Sequence, residues 1–214
     1  MFIDLHTHSV SSDDSRAAVE QYVKWVGVLR RKGFSIDGFV LTEHRKFDFD
    51  KDYSALAEEN GVLIMKGSEL DTNMGHFLVY GVSEALTDAV DFSDVTMDAM
   101  ELVRAAEESG AIAIPAHPGR FGIGLCEFTD NGSDFGLIRA AEGLNGSNRP
   151  GEQERAEELI ESLGVPATGG SDAHLVSAIG KCMTNFDGQA LNESDLVREL
   201  RLGRYGPVRL DDTL

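Results

Sequence analysis

The run Phe2-Ile3-Asp4-Leu5-His6-Thr7-His8 decides how this chain is read. Phe2–Leu5 has the character of a short buried strand, and it delivers two histidines spaced two apart. On an extended backbone, residues i and i+2 point to one face, so His6 and His8 can offer two ligands to a single ion. The same device recurs along the chain. Gly38–Thr42 runs into Glu43-His44, Val62–Gly67 into Ser68-Glu69, and Ala111–Pro115 into Ala116-His117-Pro118. Ala140–Leu144 carries Glu142, and Pro166–Gly169 feeds Gly170-Ser171-Asp172-Ala173-His174, where Asp172 and His174 repeat the two-residue spacing. A further strand over Phe77–Gly81 is led in by Gly75-His76. All 6 histidines therefore sit at strand ends or just before a strand.

Between the strands lie amphipathic segments. Arg16–Lys32 places Val19, Tyr22, Val23, Val26 and Leu29 on one helical face. Helices are also predicted over Ser54–Asn60, Thr96–Ser109, Gly151–Leu163 and Glu193–Leu202, the last two stopped by Gly164 and Gly203. Alternating strands and helices indicate an α/β protein. Such folds gather ligand-bearing residues at the C-terminal ends of their strands. Gly119–Gly136 is expected to form a long surface loop or lid rather than a linker, and residues 1–214 one domain.

The chain has 214 residues, 42% hydrophobic and 26% charged, with a formal net charge of -18. No stretch has the ~18 uninterrupted apolar residues of a membrane helix. The N-terminus lacks the basic-then-apolar order of a signal peptide. The two cysteines, Cys126 and Cys182, have no metal-type spacing. A cytoplasmic location without membrane association is expected. The acidic balance repels polyanions, so duplex nucleic acid is not expected as a partner.

Packing this many ionisable groups at loop mouths without a cation would be costly. Imidazole and carboxylate donors without thiolates suit zinc, manganese or iron rather than calcium. The donors are too many for one tetrahedral ion, so two or three divalent transition metals are expected. Paired metals are common in phosphate ester hydrolysis.

Taken together, His6-Thr7-His8-Ser9, Thr42-Glu43-His44, Gly67-Ser68-Glu69, Gly75-His76, Ala116-His117-Pro118 and Gly170-Ser171-Asp172-Ala173-His174 resemble the polymerase and histidinol phosphatase (PHP) family. The resemblance runs from His6 to Gly203-Arg204-Tyr205. It implies a distorted seven-stranded (β/α)7 TIM-like barrel with up to three metals in its mouth. The first metal would take His6, His8, Glu69 and Asp172. Glu69 would bridge to a second, completed by His76 and His117, and a third would take Asp13, His44 and His174, with Asp14 adjoining Asp13. Only 40 residues separate His76 from His117, so the insertion found there in relatives acting on nucleotides or short RNA is absent.

The expected activity is metal-dependent phosphoesterase chemistry on a small phosphate monoester of sugar phosphate, nucleotide or histidinol phosphate type. The nucleophile would be a metal-bridging hydroxide, and Glu69, Asp172 and Arg120 would carry the chemistry. Arginine can grip phosphate bidentately, and the candidates are Arg120, Arg149 and Arg45. Glu142 is expected to orient a ligand histidine from behind. Two other readings are a C–N hydrolase of amidohydrolase type on the same barrel and a non-catalytic regulatory module. Specificity is expected to reside in Phe121–Phe135 and Asp71–Met74.

Overall fold

The histidine-bearing strand is the axis of the main sheet. β1 (Phe2–Thr7) is flanked on one side by β2 (Gly38–His44), β3 (Leu63–Thr72), β4 (Gly75–Tyr80) and β5 (Ile112–Pro115). On its other side lie β8 (Cys182–Phe186) and β9 (Tyr205–Arg209). β6 (Ala141–Asn145) and β7 (Ala167–Gly170) form a separate parallel pair. The computed structural model describes residues 1–129, 132 and 134–214.

The α/β class holds, but the seven-stranded (β/α)7 barrel needs correction. β1–β2 and β2–β3 are parallel, whereas β3–β4, β4–β5, β1–β8 and β8–β9 are antiparallel. The result is a curled mixed sheet resembling half a barrel. The physical reason lies in the connections. β3 returns into β4 through a tight turn at Asn73-Met74 with Thr72 paired to Gly75, which leaves no room for the crossover helix that parallel strands require. The small sheet is tied to β1 by a Thr7–Ala173 bridge, with His8 N–H donating to Ala173 O at 2.9 Å and Asp172 N–H to His6 O at 2.8 Å. Gly170 makes this approach feasible: a Cβ there would lie 2.4 Å from His6 Cβ.

Helices cover the sheet where their apolar stripes dictate. α1 (Val19–Arg31) buries Tyr22, Val23, Val26 and Leu29 against Phe39 and Leu41 of β2. Following α2 (Ser54–Asn60) and α3 (Glu84–Ala89), α4 (Ala99–Glu108) packs Leu102, Val103 and Ala106 onto Phe77 and Val79. Asp98 caps α4 by accepting from the N–H groups of Met100 and Glu101. α5 (Glu152–Leu163) backs the small sheet and ends at Gly164 in the left-handed region. α6 (Glu193–Leu202) sets Leu196, Val197 and Leu200 against Tyr80 and Phe186 and ends likewise at Gly203. Each such large apolar side chain contributes about 1.5–3 kcal/mol through burial.

The predicted Gly119–Gly136 loop contains Asp130, Asn131 and Ser133, which lie outside the described residues. Its first part is packed rather than lid-like, with Gly124 N–H on Arg120 O and Cys126 N–H on Pro118 O. Among the described residues no helix is long and apolar enough to cross a membrane.

Candidate metal centre

All 6 histidines converge on one face, at the ends of β1, β2 and β4 and in the loops after β5 and β7. Glu69, near the middle of β3, lies at the centre and is 1% exposed. Its two oxygens face different partners. Oε1 is 2.9 Å from both His76 Nδ1 and His117 Nε2. Oε2 is 3.1 Å from His6 Nε2, 3.2 Å from His8 Nε2 and 3.3 Å from His44 Nδ1. Asp172 Oδ1 lies 3.6 Å from the Nε2 atoms of both His6 and His8. Among the described residues, three groups each bring their donor atoms within 4.8 Å of one another: His6, His8 and Asp172; Glu69, His76 and His117; and His8, His44 and His174.

These donors fit cations. His6 Nδ1 donates to Glu142 Oε1 at 2.9 Å, so in the neutral ring Nε2 is a lone pair. That lone pair faces His8 Nε2 at 3.1 Å and a carboxylate oxygen, an arrangement that repels itself unless a proton or metal intervenes. His117 Nδ1 is buried without a partner among the described residues, a further sign of a group that the protein itself does not supply. The residues fit two loci sharing Glu69, with His44 and His174 bordering a third.

Charge shifts follow the same crowding. Burial disfavours the His6 imidazolium, but Glu142, Glu69 and Asp172 outweigh it and hold the pKa well above the usual value. His8 is pushed down to about 4, chiefly by burial. Burial would raise Glu69, yet the His6 charge and the hydrogen bonds from His117, His6 and His76 leave it well below the carboxylate range. Asp172 is likewise lowered against its burial, with His6 the main stabilising charge.

The third locus departs from expectation at Asp13. Asp14, not Asp13, faces the cluster, with Oδ2 3.1 Å from His174 Nε2 and 3.3 Å from His44 Nε2. Asp13 turns outward to within 3.7 Å of Arg45 Nη2. Neighbouring residues in this turn point in different directions.

Arg120 reaches the centre, where Nη2 donates to Asp172 Oδ2 at 2.7 Å and Asn145 Oδ1 at 3.3 Å. Among the described residues its Nε and Nη1 make no hydrogen bond to protein. Arg45 is exposed and lies 3.8 Å from Asp71. Arg149 is exposed, and its side chain makes no hydrogen bond or ion pair among the described residues. Arg45, His117 and Asp172 all have positive φ (55°, 29° and 52°), so the three non-glycine residues in this strained region among the described residues lie at the site.

Several supporting residues escaped the sequence reading. Buried Asp4 accepts the N–H groups of Ser171 at 2.8 Å and Gly180 at 2.7 Å, binding β1 to both loops. Burial pushes its pKa up to about 6. Glu43 accepts from Ser9 and Ser12, and Ser12 Oγ lies 3.5 Å from His8 Nδ1. Glu152 accepts from the N–H groups of Phe121 at 3.1 Å and Arg149 at 2.7 Å, clipping together two arginine-bearing loops. Glu43 stood in the strand-end motif Thr42-Glu43-His44 without an assigned role, and nothing local marks Asp4.

The family profile described as PHP-associated matches residues 150–205. The fold matches a two-domain protein from Bacteroides vulgatus containing a predicted PHP-like metal-dependent phosphoesterase, with a TM-score of 0.65 and 20% identity over 99% of this chain and 65% of that one. The chain thus has the fold of PHP-like proteins, and its C-terminal segment matches a PHP-associated profile. A proposed metal-dependent phosphoesterase from Bifidobacterium adolescentis shares the PHP fold, with a TM-score of 0.56 and 16% identity over 98% of each chain. So does endonuclease Q, with a TM-score of 0.65 and 13% identity over 96% of this chain and 57% of that one. The chain thus spans less than two thirds of the first and last of these. No curated protein sequence matches it.

Endonuclease Q corrects the expectation about duplex nucleic acid. That protein, on the same fold, is seen with a 27-mer duplex substrate with an abasic lesion at its active site. Net charge was the wrong criterion, because it describes the far field, which salt screens beyond about 10 Å.

Proposed function

We propose that this chain is a PHP-type metal-dependent phosphoesterase acting on a phosphate monoester, with residues 1–214 working as one domain. The observation that carries the reading is Glu69, whose two oxygens are shared between separate histidine groups beside an arginine whose Nε and Nη1 make no hydrogen bond among the described residues. His6, His8, Glu69 and Asp172 would hold one ion, and Glu69, His76 and His117 a second. His44, His174 and Asp14 border the third. Zinc, manganese or iron suits these donors. When bound, such ions supply Lewis-acid polarisation of phosphoryl oxygen and a water of lowered pKa.

The protein's own part is orientation and charge. Glu142 keeps the His6 proton on Nδ1, leaving Nε2 available toward the centre. Arg120 is held through Nη2, so its Nη1 and Nε can meet phosphate oxygens without being reoriented. Arg149 and Arg45 offer further positive charge at the rim. The unpaired cysteines are consistent with the cytoplasmic placement we propose.

The test is a phosphate-release screen with Mn2+, Zn2+ and Mg2+. Its substrates are p-nitrophenyl phosphate, sugar phosphates, nucleotides, histidinol phosphate and a phosphodiester. Monoester hydrolysis abolished by chelation is expected. Cleavage of the diester alone would overturn the monoester assignment. Ammonia release from amides, with no phosphoester cleaved, would favour C–N hydrolysis.

A further inference from the structure

We infer that Glu142 is a positioning residue that couples the two metal loci sharing Glu69, making their occupancy interdependent. The inference rests on the reading of those loci as metal sites.

Glu142 is fully buried, and each carboxylate oxygen serves a different locus. Oε1 accepts from His6 Nδ1 at 2.9 Å. Oε2 accepts the backbone N–H of His117 at 2.6 Å and Asn145 Nδ2 at 3.0 Å. His6 belongs to the group with His8 and Asp172, and His117 to the group with Glu69 and His76. One carboxylate thus fixes a ring in the first locus and a backbone in the second. The His117 backbone has a φ of 29°, a conformation requiring support from its surroundings. A charge-assisted hydrogen bond to its N–H supplies such support.

The strand that carries Glu142 is shaped for this task. β6 and β7 pair Glu142 with Thr168 and Leu144 with Gly169, so Gly143 is an extra residue in β6. On a regular strand, residues 142 and 145 would face opposite sides. The bulge re-aims the strand and brings the Asn145 side chain onto Glu142. Asn145 Oδ1 in turn accepts from Arg120 Nη2, which also donates to Asp172. The connection therefore runs from His117 through Glu142 to His6, and through Asn145 and Arg120 to Asp172.

Glutamine cannot replace this carboxylate. Its single oxygen can accept on one side only, while its NH2 faces a donor on the other. If the NH2 faces His6, the ring must carry its proton on Nε2 and loses its lone pair toward the centre. If it faces His117, the strained backbone loses its acceptor.

The experiment titrates metal-free protein with Zn2+ against a competing chelator, comparing wild type, Glu142→Gln and Asn145→Ala, each with its far-UV spectrum as a fold check. Glu142→Gln should weaken both binding steps together by about 10–100-fold, the range for losing a partner behind a ligand. Asn145→Ala should weaken both by less. If Glu142→Gln does not fold, Asn145→Ala decides. Unchanged affinity in the folded variants, or loss confined to one step, overturns the coupling. Wild-type protein that binds no Zn2+ overturns the metal reading as well.

Discussion

Glu69→Gln preserves side-chain volume but removes the negative charge that two histidine groups share. Phosphoester turnover should fall at least about 100-fold, with bound metal lost by elemental analysis. Arg120→Lys is a different kind of change. Lysine can still reach Asp172, but it cannot also present further N–H donors held at fixed angles in one plane. A loss of about 1–3 kcal/mol in transition-state stabilisation is expected from kcat/KM. At the third locus, Asp14→Ala should lower metal content while Asp13→Ala leaves it unchanged, because only Asp14 faces His44 and His174. Much of this centre was legible in the sequence, since each of His6, His8, His44, His117, Asp172 and His174 follows a readable strand. The choice between Asp13 and Asp14 was not, because it depends on the direction of a turn. Nor could sequence show that Arg120 binds Asp172, a contact between side chains 52 residues apart.

Elements place these residues by close backbone contact. The loop after β5 lies so near the first turn of α5 that a Cβ on Gly119 would be 1.9 Å from Glu152 O. Gly119→Ala should therefore push the His117 loop away, costing about 1–3 kcal/mol in thermal or denaturant unfolding and weakening metal binding. The strands leading into the site were found because they are apolar and end in ligand-type residues. β8 and β9 carry no such ends, and β9 includes Gly206 and Pro207, residues usually read against a strand. Pro207 is accommodated because β9 is the last strand of its sheet. α3 is a single short turn and a half with only Leu86 buried, too little for a periodic signal. The distorted seven-stranded barrel was what the family resemblance implied, whereas the tight β3–β4 hairpin pairs those strands antiparallel.

For the whole molecule, the candidate ligands come from both the seven-stranded and the two-stranded sheet, so bound metal would cross-link parts distant in sequence. An ion at 1,000 times its Kd adds about 4 kcal/mol, and for a domain of this size that is a shift of about 10 °C in Tm. Chelation should lower Tm by about that amount in calorimetry. The gap should narrow as pH falls, because the raised His6 pKa lets a proton compete with metal for that ring. Loading should correspondingly tighten as pH rises. Gathering every histidine at one centre has a practical result too: the chain comes with its own reporter. Imidazole resonances in a nuclear magnetic resonance spectrum, or sites of histidine-directed labelling, would all arise from the mouth of the fold, with no background from elsewhere in the protein. Substrate entry, metal exchange and local opening could each be followed there in the unaltered chain, without attaching a dye or introducing a tag.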